Sequence, residues 1–490
     1  MNSNQRKKEG IYALVTACIS IVLVYWLLGL KDVDFHVPFT YSDDGMCLAS
    51  IVKGMGENGW FFTNPNLGAP FEGTLYDYPF YGDTFWLVII KILMSIFKSY
   101  GMALNVFYIM LFPVTSVITY GVLRKLRIKE WIAVLGSLSY SFLFYHFTRL
   151  IPGHILLAAY CFIPISVLIC LWTMQDDEYF RFKKGFFKSR KNIFTLVMLP
   201  IIASSGIYYA FFMCFFLGII GLVKWMKQPR NIRELVPIIG IVAIIVMTIG
   251  LLMIPNQIYI HNAGVNPEAP QRGVAEAEVY GLKLARLLIP AGQKNIPIIS
   301  EVQQKYADVP LPGEGSEYLG LFGILGFLVL MVMIFIENKK ETYQYKVLKT
   351  LSQLNIAAIL LATIGGFSTL FAIFISTKIR GYNRISVYIA FFGIAALCIL
   401  LNEIDKKLGR KSYIFKVIVV GLTLVGIIEQ SWGIRPNYEY NESRYYNDKT
   451  FVGYIENTLG EGSSVYQLPY QRFPENPPIN NMKDYASFRG

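Results

Sequence analysis

Apolar runs, many of them about 20 residues long, alternate with short polar segments along most of this sequence, and that length lets an α-helix cross the hydrocarbon core of a bilayer. The runs cover residues 11–30, 101–123, 131–147, 154–174, 193–204, 206–223, 235–255, 318–336, 351–372, 385–401 and 413–430. The pattern predicts an all-α polytopic membrane protein with about eleven transmembrane helices.

The charge of the polar segments predicts the orientation. Lysine and arginine concentrate at the N-terminus and in residues 124–130, 175–192, 224–234, 337–349 and 402–412. Such basic segments stay on the cytoplasmic side of a membrane. We therefore expect a protein of the cytoplasmic (inner) membrane with its N-terminus inside and its C-terminus outside.

Two apolar stretches need a different interpretation. Thr84–Phe97 is short and carries Lys91 near its middle, and counting it as a span would place the basic segment 124–130 outside. Runs of this length often lie along the membrane surface, where a lysine extends its amine into water. At Ser204-Ser205-Gly206 one long run breaks, which predicts a helical hairpin because glycine permits a sharp turn.

These assignments divide the chain into two parts. Residues 1–430 form a transmembrane module with two large outer loops, residues 31–100 with interfacial helices and residues 256–317. Residues 431–490 are the start of an extracytoplasmic domain, in which the pattern predicts a helix over Thr450–Leu459 and a strand over Ser464–Leu468. We expect this to be a partial α/β domain that is cut short.

Composition agrees with this architecture and argues against nucleic-acid binding and against a cysteine-based metal site. The chain of 490 residues is 54% hydrophobic and 16% charged, whereas soluble domains carry about 25% charged residues. The net charge of +12 comes from the short basic loops, so we expect no nucleic-acid partner. Five of the six cysteines lie in apolar runs, and their spacing predicts neither a disulfide framework nor a metal site.

The first outer loop contains an acidic motif, Tyr41-Ser42-Asp43-Asp44-Gly45. Adjacent carboxylates can take a proton from a hydroxyl as a general base or bind a divalent cation such as Mg²⁺ or Mn²⁺. Alternatively, they form a solvated turn in which an aspartate caps the next helix. Acids and aromatic rings elsewhere in the loop, among them Asp77 and Tyr78, are typical of a sugar-binding site, although an interfacial aromatic belt supplies rings equally well.

Polar residues at the outer ends of other predicted spans are further candidates. The outer turn 376–384 contains Lys378, Arg380, Asn383 and Arg384, which break the charge pattern. Arginine binds phosphate through two parallel hydrogen bonds. The alternative is pairing with anionic lipid headgroups, and a polyprenyl phosphate is itself such a headgroup.

Two single residues also lie at outer ends. His154 follows Pro152-Gly153 near Arg149, and Glu317 follows Gly313-Glu314-Gly315-Ser316. Each can contact substrate. A capping or interfacial histidine and a glutamate that complements a helix dipole are equally good interpretations.

Several stretches of the sequence match one known group of proteins. They are Asn64–Phe71 with Asp77-Tyr78-Pro79, Glu276–Ala285, Arg380–Ser386 continuing into Val387–Phe392, Gln467–Tyr470 and Phe473–Pro478. These stretches resemble large bacterial membrane proteins of the GT-C superfamily, related to the YfhO type. The topology is similar too, but here the acidic pair is adjacent rather than separated by one residue.

The resemblance implies a glycosyltransferase that moves a sugar from a polyprenyl-phosphate carrier to a glycan, lipid or cell-envelope polymer at the outer membrane face. Asp43 or Asp44 matches the position of its base, and the cations of the turn 376–384 would stabilise the phosphate leaving group. Two alternatives remain: a translocase (flippase) for lipid-linked sugars, which predicts charges buried at mid-membrane, and a surface-polysaccharide polymerase or ligase. No cofactor is expected beyond the divalent cation.

Overall fold

The computed structural model describes residues 3–78, 80–229, 231–267, 271–290, 297–307, 314–337, 341–409, 412–471, 479–480, 482–483 and 485–489. The helices are α1 (Ser3–Leu28), α2 (Asp44–Asn58), α3 (Thr84–Phe97), α4 (Tyr100–Lys125), α5 (Glu130–Ser141), α6 (Phe144–Leu150), α7 (Ile163–Gln175), α8 (Arg190–Ala203), α9 (Ile207–Lys227), α10 (Val236–Leu252), α11 (Ile254–Ala263), α12 (Ala275–Val279), α13 (Leu284–Leu288), α14 (Pro297–Ala307), α15 (Gly320–Met333), α16 (Tyr343–Ala362), α17 (Phe367–Phe374), α18 (Ser386–Leu408), α19 (Ser412–Ser431) and α20 (Tyr438–Thr458). Two short strands, β1 (Thr63–Asn64) and β2 (Gly73–Thr74), pair antiparallel in the first loop.

Seven helical segments in the described parts of the chain are long and apolar enough to cross a membrane. They are Ser3–Leu28, Phe80–Phe97, Tyr100–Lys125, Ile207–Lys227, Ile232–Leu252, Tyr382–Leu408 and Ser412–Ser431. Ile163–Gln175 and Gly320–Met333 are shorter apolar helices. The chain is therefore a helical membrane protein, whereas the count of eleven spans and the surface position of Thr84–Phe97 stay predictions.

Several helix boundaries differ from those predicted. The run 154–174 is helical only from Ile163 onward, because the residues before it form turns. The run 351–372 is split between α16 and α17 at Gly365-Gly366, where Gly365 has a φ of +72°. The hairpin break at 204–206 is present as the turn between α8 and α9.

One end of the bundle, called the basic end here, is held by ion pairs between helix termini. Arg124 at the end of α4 lies 2.7 Å from Glu9 of α1 and 3.1 Å from Glu130 of α5. Lys129 before α5 lies 2.5 Å from Asp405 in the last turns of α18. Basic segments that look separate in the sequence therefore lie on one side of the molecule.

The opposite end, called the loop end, joins the first loop to the hairpin turn and to the tail. Gly206 N donates to Gly82 O at 2.9 Å, and Phe85 N donates to Ser204 O at 3.0 Å. After α1 ends, its last carbonyl oxygens accept hydrogen bonds from Arg435 and Tyr438 in the tail. The long polar segments thus lie over one end of the bundle.

The predicted strand in the tail is wrong. Residues 464–468 are exposed and form no strand, and a strand requires a neighbouring strand or a packed face, which the described tail does not give it. The predicted helix over Thr450–Leu459 is confirmed as the second half of α20. Within the described tail the β structure is limited to an isolated bridge between Ile479 and Met482. Pro79 and Phe473–Pro478 lie outside the described residues.

Glycine residues allow two helices of the bundle, α15 and α18, to pack closely. In the contact between α15 and α18, a Cβ added to Gly326 would lie 1.8 Å from the backbone oxygen of Gly393. We therefore expect Gly326→Ala to lower the free energy of unfolding by about 1–3 kcal/mol or more, because backbone atoms must move to admit the methyl group. Gly421→Ala in α19 is the matched control, since no heavy atom lies within 4 Å of its added Cβ. Thermal unfolding of both variants in detergent checks this, and equal melting temperatures would contradict it.

Candidate functional site

The acidic motif of the first loop has an unusual backbone. Asp43 has φ 50° and ψ −139°, a conformation that suits glycine and costs a non-glycine residue about 1–3 kcal/mol. It precedes α2, yet its side chain makes no capping hydrogen bond to that helix, so the capping interpretation is wrong. Strain of this kind concentrates at functional sites, where the surrounding structure holds it in place.

Asp44, the next residue, pairs with a histidine from a distant part of the chain. Its Oδ2 lies 2.6 Å from Nε2 of His154. The pairing depends on a close backbone approach: a Cβ on Gly153 would lie 2.1 Å from the amide nitrogen of Gly45, and Gly153 has a φ of +83°. Glycine at this position therefore brings the loop that carries His154 against the acidic motif.

The other ring nitrogen of His154 fixes its tautomer. Nδ1 lies 3.3 Å from Nη1 of Arg149. Arginine can only donate, so Nδ1 accepts and Nε2 carries the hydrogen that it donates to Asp44. The Asp44 side chain is still 43% exposed. Asp44 is thus an oriented carboxylate that remains open to solvent.

Arg149 continues the network into the interior. It is 2% exposed, and its guanidinium lies over the ring of Tyr145. Its Nη2 lies 2.6 Å from Oε2 of Glu314 and 2.8 Å from Oγ of Ser316. Because a buried charge without a partner is strongly destabilising, Arg149 and Glu314 stabilise each other.

Glu314 joins this chain of contacts to the outer turn 376–384, which lies at the loop end and is called the basic turn here. Asn383 Nδ2 donates to Oε2 of Glu314 at 3.0 Å and to Oε1 of Glu317 at 2.9 Å. Arg384 Nη2 lies 3.9 Å from Oε1 of Glu314. The resulting set is called the polar network here and comprises Asp44, His154, Arg149, Glu314, Asn383, Arg384 and Glu317.

The two glutamates of the network differ in charge. Burial raises the pKa of Glu314, but Arg149, Arg384 and Asn383 outweigh burial and hold that pKa well below its ordinary value. Burial also raises the pKa of Glu317, and there burial outweighs the hydrogen bond from Asn383, so the net shift is upward; the ionised Glu314 adds to it. The network therefore contains one firmly ionised carboxylate beside one that holds its proton more tightly.

Glu314 should make stability depend on pH. Its pKa is lower in the folded state than the ordinary 4.5, so its stabilising contribution is present above the ordinary pKa and is lost progressively as the pH falls from about 5 towards the pKa of the folded state. We expect Glu314→Gln to unfold more easily than wild type at pH 7 and to show a flatter decline on acidification. Melting temperatures in detergent from pH 7 to pH 4 test this. Parallel curves would contradict it.

Arg384 is the least completely paired cation of the network. Its guanidinium lies 4.2 Å from the centre of the Tyr208 ring, and its side chain is 11% exposed. Its Nε has no hydrogen-bond partner among the described residues, and the same holds for four more buried atoms around the turn: Tyr382 OH, Asn383 Oδ1, Ser386 Oγ and Glu317 Oε2. Buried polar atoms without partners are costly, so their concentration here indicates a site for a polar ligand.

The other cations of the basic turn are engaged differently. Arg380 Nη1 lies 2.6 Å from Oε2 of Glu276, and its guanidinium lies over the ring of Tyr280. The side chain of Lys378 is exposed, and its backbone oxygen accepts a hydrogen bond from Arg272. The turn therefore does not present three equivalent phosphate-binding cations.

The remaining candidates of the first loop lie outside the polar network. Tyr78 OH lies 3.1 Å from Tyr485 OH in the tail. Asp43 Oδ1 lies 3.5 Å from Nζ of Lys483, also in the tail. Across the described chain no hydrogen bond or ion pair joins Asp77 to the network. The structure thus groups Asp44, His154, Asn383, Arg384 and Glu317, but not Lys378, Asp77 or Tyr78.

Arg149 and Glu314 are central to the network, but they are not among the candidate residues that the sequence predicts. Arg149 lies five residues before His154. Glu314 lies in the same short stretch as Glu317, and the sequence predicts Glu317 as the candidate because it directly precedes the apolar run 318–336. Their opposite charges permit an ion pair, but nothing in the sequence indicates that these two residues meet.

Asp43 and Asp44 do not form a metal site with other described residues. No group of three or more His, Cys, Asp or Glu side chains in the described parts of the chain could hold a metal ion. Asp44 is paired with His154, and Asp43 faces Lys483. The residues present therefore do not fit an Mg²⁺ or Mn²⁺ site, and the reaction proposed for this protein uses no metal ion.

No curated protein matches the chain. Two crystal structures of the Archaeoglobus fulgidus oligosaccharyltransferase are similar to it. The complex with Zn and sulfate has a TM-score of 0.45 and 12% identity, and the match covers 93% of this chain and 59% of that one. The apo form has a TM-score of 0.43 and 12% identity, with 94% and 62% covered. The chain thus spans about three fifths of the length of these structures.

A family model matches one continuous part of the sequence. The match covers residues 84–425, which is more than half of the chain and includes the basic turn, His154 and both glutamates of the polar network. The chain belongs to the family described as Domain of unknown function (DUF6311).

Proposed function

We propose that this protein is a membrane glycosyltransferase that takes a sugar from a polyprenyl-phosphate carrier and transfers it to a hydroxyl of a glycan, lipid or cell-envelope polymer. One observation carries the proposal. A single continuous polar network has a partly exposed carboxylate, Asp44, at one end and an incompletely paired arginine, Arg384, at the other. Transfer from a sugar phosphate requires these two groups, a base for the acceptor and a cation for the leaving phosphate.

The proposed reaction is a direct displacement at the anomeric carbon of the sugar. Asp44 takes the proton of the acceptor hydroxyl, and the acceptor oxygen forms a bond to the anomeric carbon. The bond between that carbon and the phosphate oxygen breaks, and its electron pair leaves with the polyprenyl phosphate. His154 holds Asp44 by donating from Nε2 at 2.6 Å, so the free carboxylate oxygen is available to the acceptor.

We assign to Arg384 the role of stabilising the phosphate leaving group. Its fork of N–H donors matches phosphate oxygens, and the stacked Tyr208 ring limits its motion. Arg380 would first have to release Glu276, and Lys378 is exposed at the surface. We therefore assign Arg380 and Lys378 only to attracting the anionic donor toward the turn.

The orientation follows from the charge distribution. The basic end faces the cytoplasm, and the loop end, with the polar network, faces outward. The proposal includes eleven spans and the relation to the GT-C superfamily.

The positions of the buried charged side chains favour the enzyme over a translocase, which would need such charges at mid-membrane. In the described residues they lie near the two ends of the bundle: Arg149, Lys283, Arg286, Glu317 and Arg384 at the loop end and Asp405 at the basic end.

A donor panel tests the proposal. Purified full-length protein in lipid vesicles is incubated with radiolabelled sugars linked to polyprenyl phosphate, to polyprenyl diphosphate or to a nucleotide. We expect release of sugar from the polyprenyl phosphate alone. Movement of the labelled lipid between leaflets without loss of its sugar would contradict the enzyme and support the translocase.

A further inference from the structure

The segment between α7 and α8, residues 176–189, lies at the basic end and presents aromatic rings to its surroundings. Phe182 is 59% exposed and Phe187 is 74% exposed, whereas Phe186 between them is buried. The segment connects two apolar helices, so these rings lie close to the depth at which the helices leave the membrane. Exposed aromatic side chains at that depth are typical of contact with lipid.

A cavity of about 430 Å³ opens beside these rings and is rich in positive charge. Five cations line it: Arg181, Lys183, Lys184, Arg190 and Lys191. Three of them pair with acidic side chains, including Lys191, which lies 2.7 Å from Asp176. Lys184 and Arg190 are exposed and form no ion pair with any described residue. The cavity therefore has two cations available to an anion.

We infer that this cavity binds the phosphate of an anionic phospholipid headgroup. Lys184 and Arg190 contact the phosphate oxygens, and Phe182 and Phe187 lie among the acyl chains of the same lipid. Basic pockets at the membrane surface bind such headgroups because each cation contributes to the attraction and arginine matches phosphate geometry. The site lies at the end of the bundle opposite the polar network and is independent of the proposed transfer reaction.

The test measures binding of fluorescent phosphatidylglycerol to full-length protein stripped of lipid in detergent. We expect the double variant Lys184→Gln with Arg190→Gln to bind at least about tenfold more weakly than wild type, because each removed cation weakens the attraction. The matched control is Lys188→Gln with Lys227→Gln. It removes the same charge from exposed residues near the same end that do not line the cavity, and it should bind within about twofold of wild type.

Two further measurements distinguish a lipid from free phosphate. Inorganic phosphate should fail to displace the labelled lipid. Phe182→Ser with Phe187→Ser should weaken lipid binding and lower the melting temperature only slightly, because both rings are largely exposed although they contact the buried Phe186. Equal binding by the cavity variant and the control would overturn the inference. Displacement by inorganic phosphate, or lipid binding that does not depend on the two phenylalanines, would overturn the lipid assignment.

Discussion

Asp44→Asn is expected to abolish sugar transfer and to leave the protein folded. The amide cannot accept the acceptor proton, and a positioned general base contributes about 10²–10⁴-fold to a rate. The asparagine oxygen can still accept the hydrogen bond from His154, so the melting temperature should change little. Initial rates of sugar transfer and melting temperatures of the purified variant measure both effects.

Asp43→Asn is the matched control, since it makes the same chemical change one residue away. Asp43 is outside the polar network and faces Lys483 at the surface, so we expect less than a tenfold loss of rate. Full activity of Asp44→Asn would refute Asp44 as the base. A much larger loss in Asp43→Asn than in Asp44→Asn would transfer that role to the neighbouring aspartate.

The second large effect is expected at Arg384. Arg384→Gln removes the cation that stabilises the departing phosphate, and loss of one such electrostatic group costs about 10²–10³-fold in rate. The loss should appear in kcat/KM for the donor, with KM for the acceptor unchanged. Arg384→Lys should restore only part of the activity, because an ammonium lacks the fork of donors that fits phosphate.

Lys378→Gln is the control for Arg384, because it removes the same charge from an exposed side chain of the same turn. We expect at most a few-fold loss, as for other screened surface charges. Steady-state kinetics over a range of donor concentrations separates the two variants. Equal losses in both would show that the turn acts only through its net charge.

Much of the fold follows from local properties of the sequence. A helix must be about 20 residues long and apolar to cross the bilayer, so the run 413–430 predicts α19 closely and the run 11–30 predicts α1, although α1 begins earlier, at Ser3. The prediction is wrong for residues 154–162, which are apolar but form turns. Their path depends on the contact of Gly153 with Gly45, which lies far away in the sequence.

The members of the site could be predicted better than its connections. Asp44 belongs to an acidic motif in the first loop, and His154, Asn383 and Arg384 are polar residues at the outer ends of apolar runs, so the sequence predicts all four as candidates. The partners could not be predicted, because Arg149 and Glu314 are 165 residues apart and nothing local indicates their pairing. The different roles of the cations in the basic turn likewise depend on a distant residue. Glu276 neutralises Arg380 and not Arg384.

The central claim is that Asp44 and Arg384 serve one active site. An experimental structure of the full-length protein with a bound, non-reactive polyprenyl-phosphate-sugar analogue tests it most directly. The account predicts a phosphate oxygen about 3 Å from the Arg384 guanidinium, with the sugar between that arginine and the carboxylate of Asp44. A donor phosphate bound away from Arg384, or a sugar that faces away from Asp44, would contradict the account.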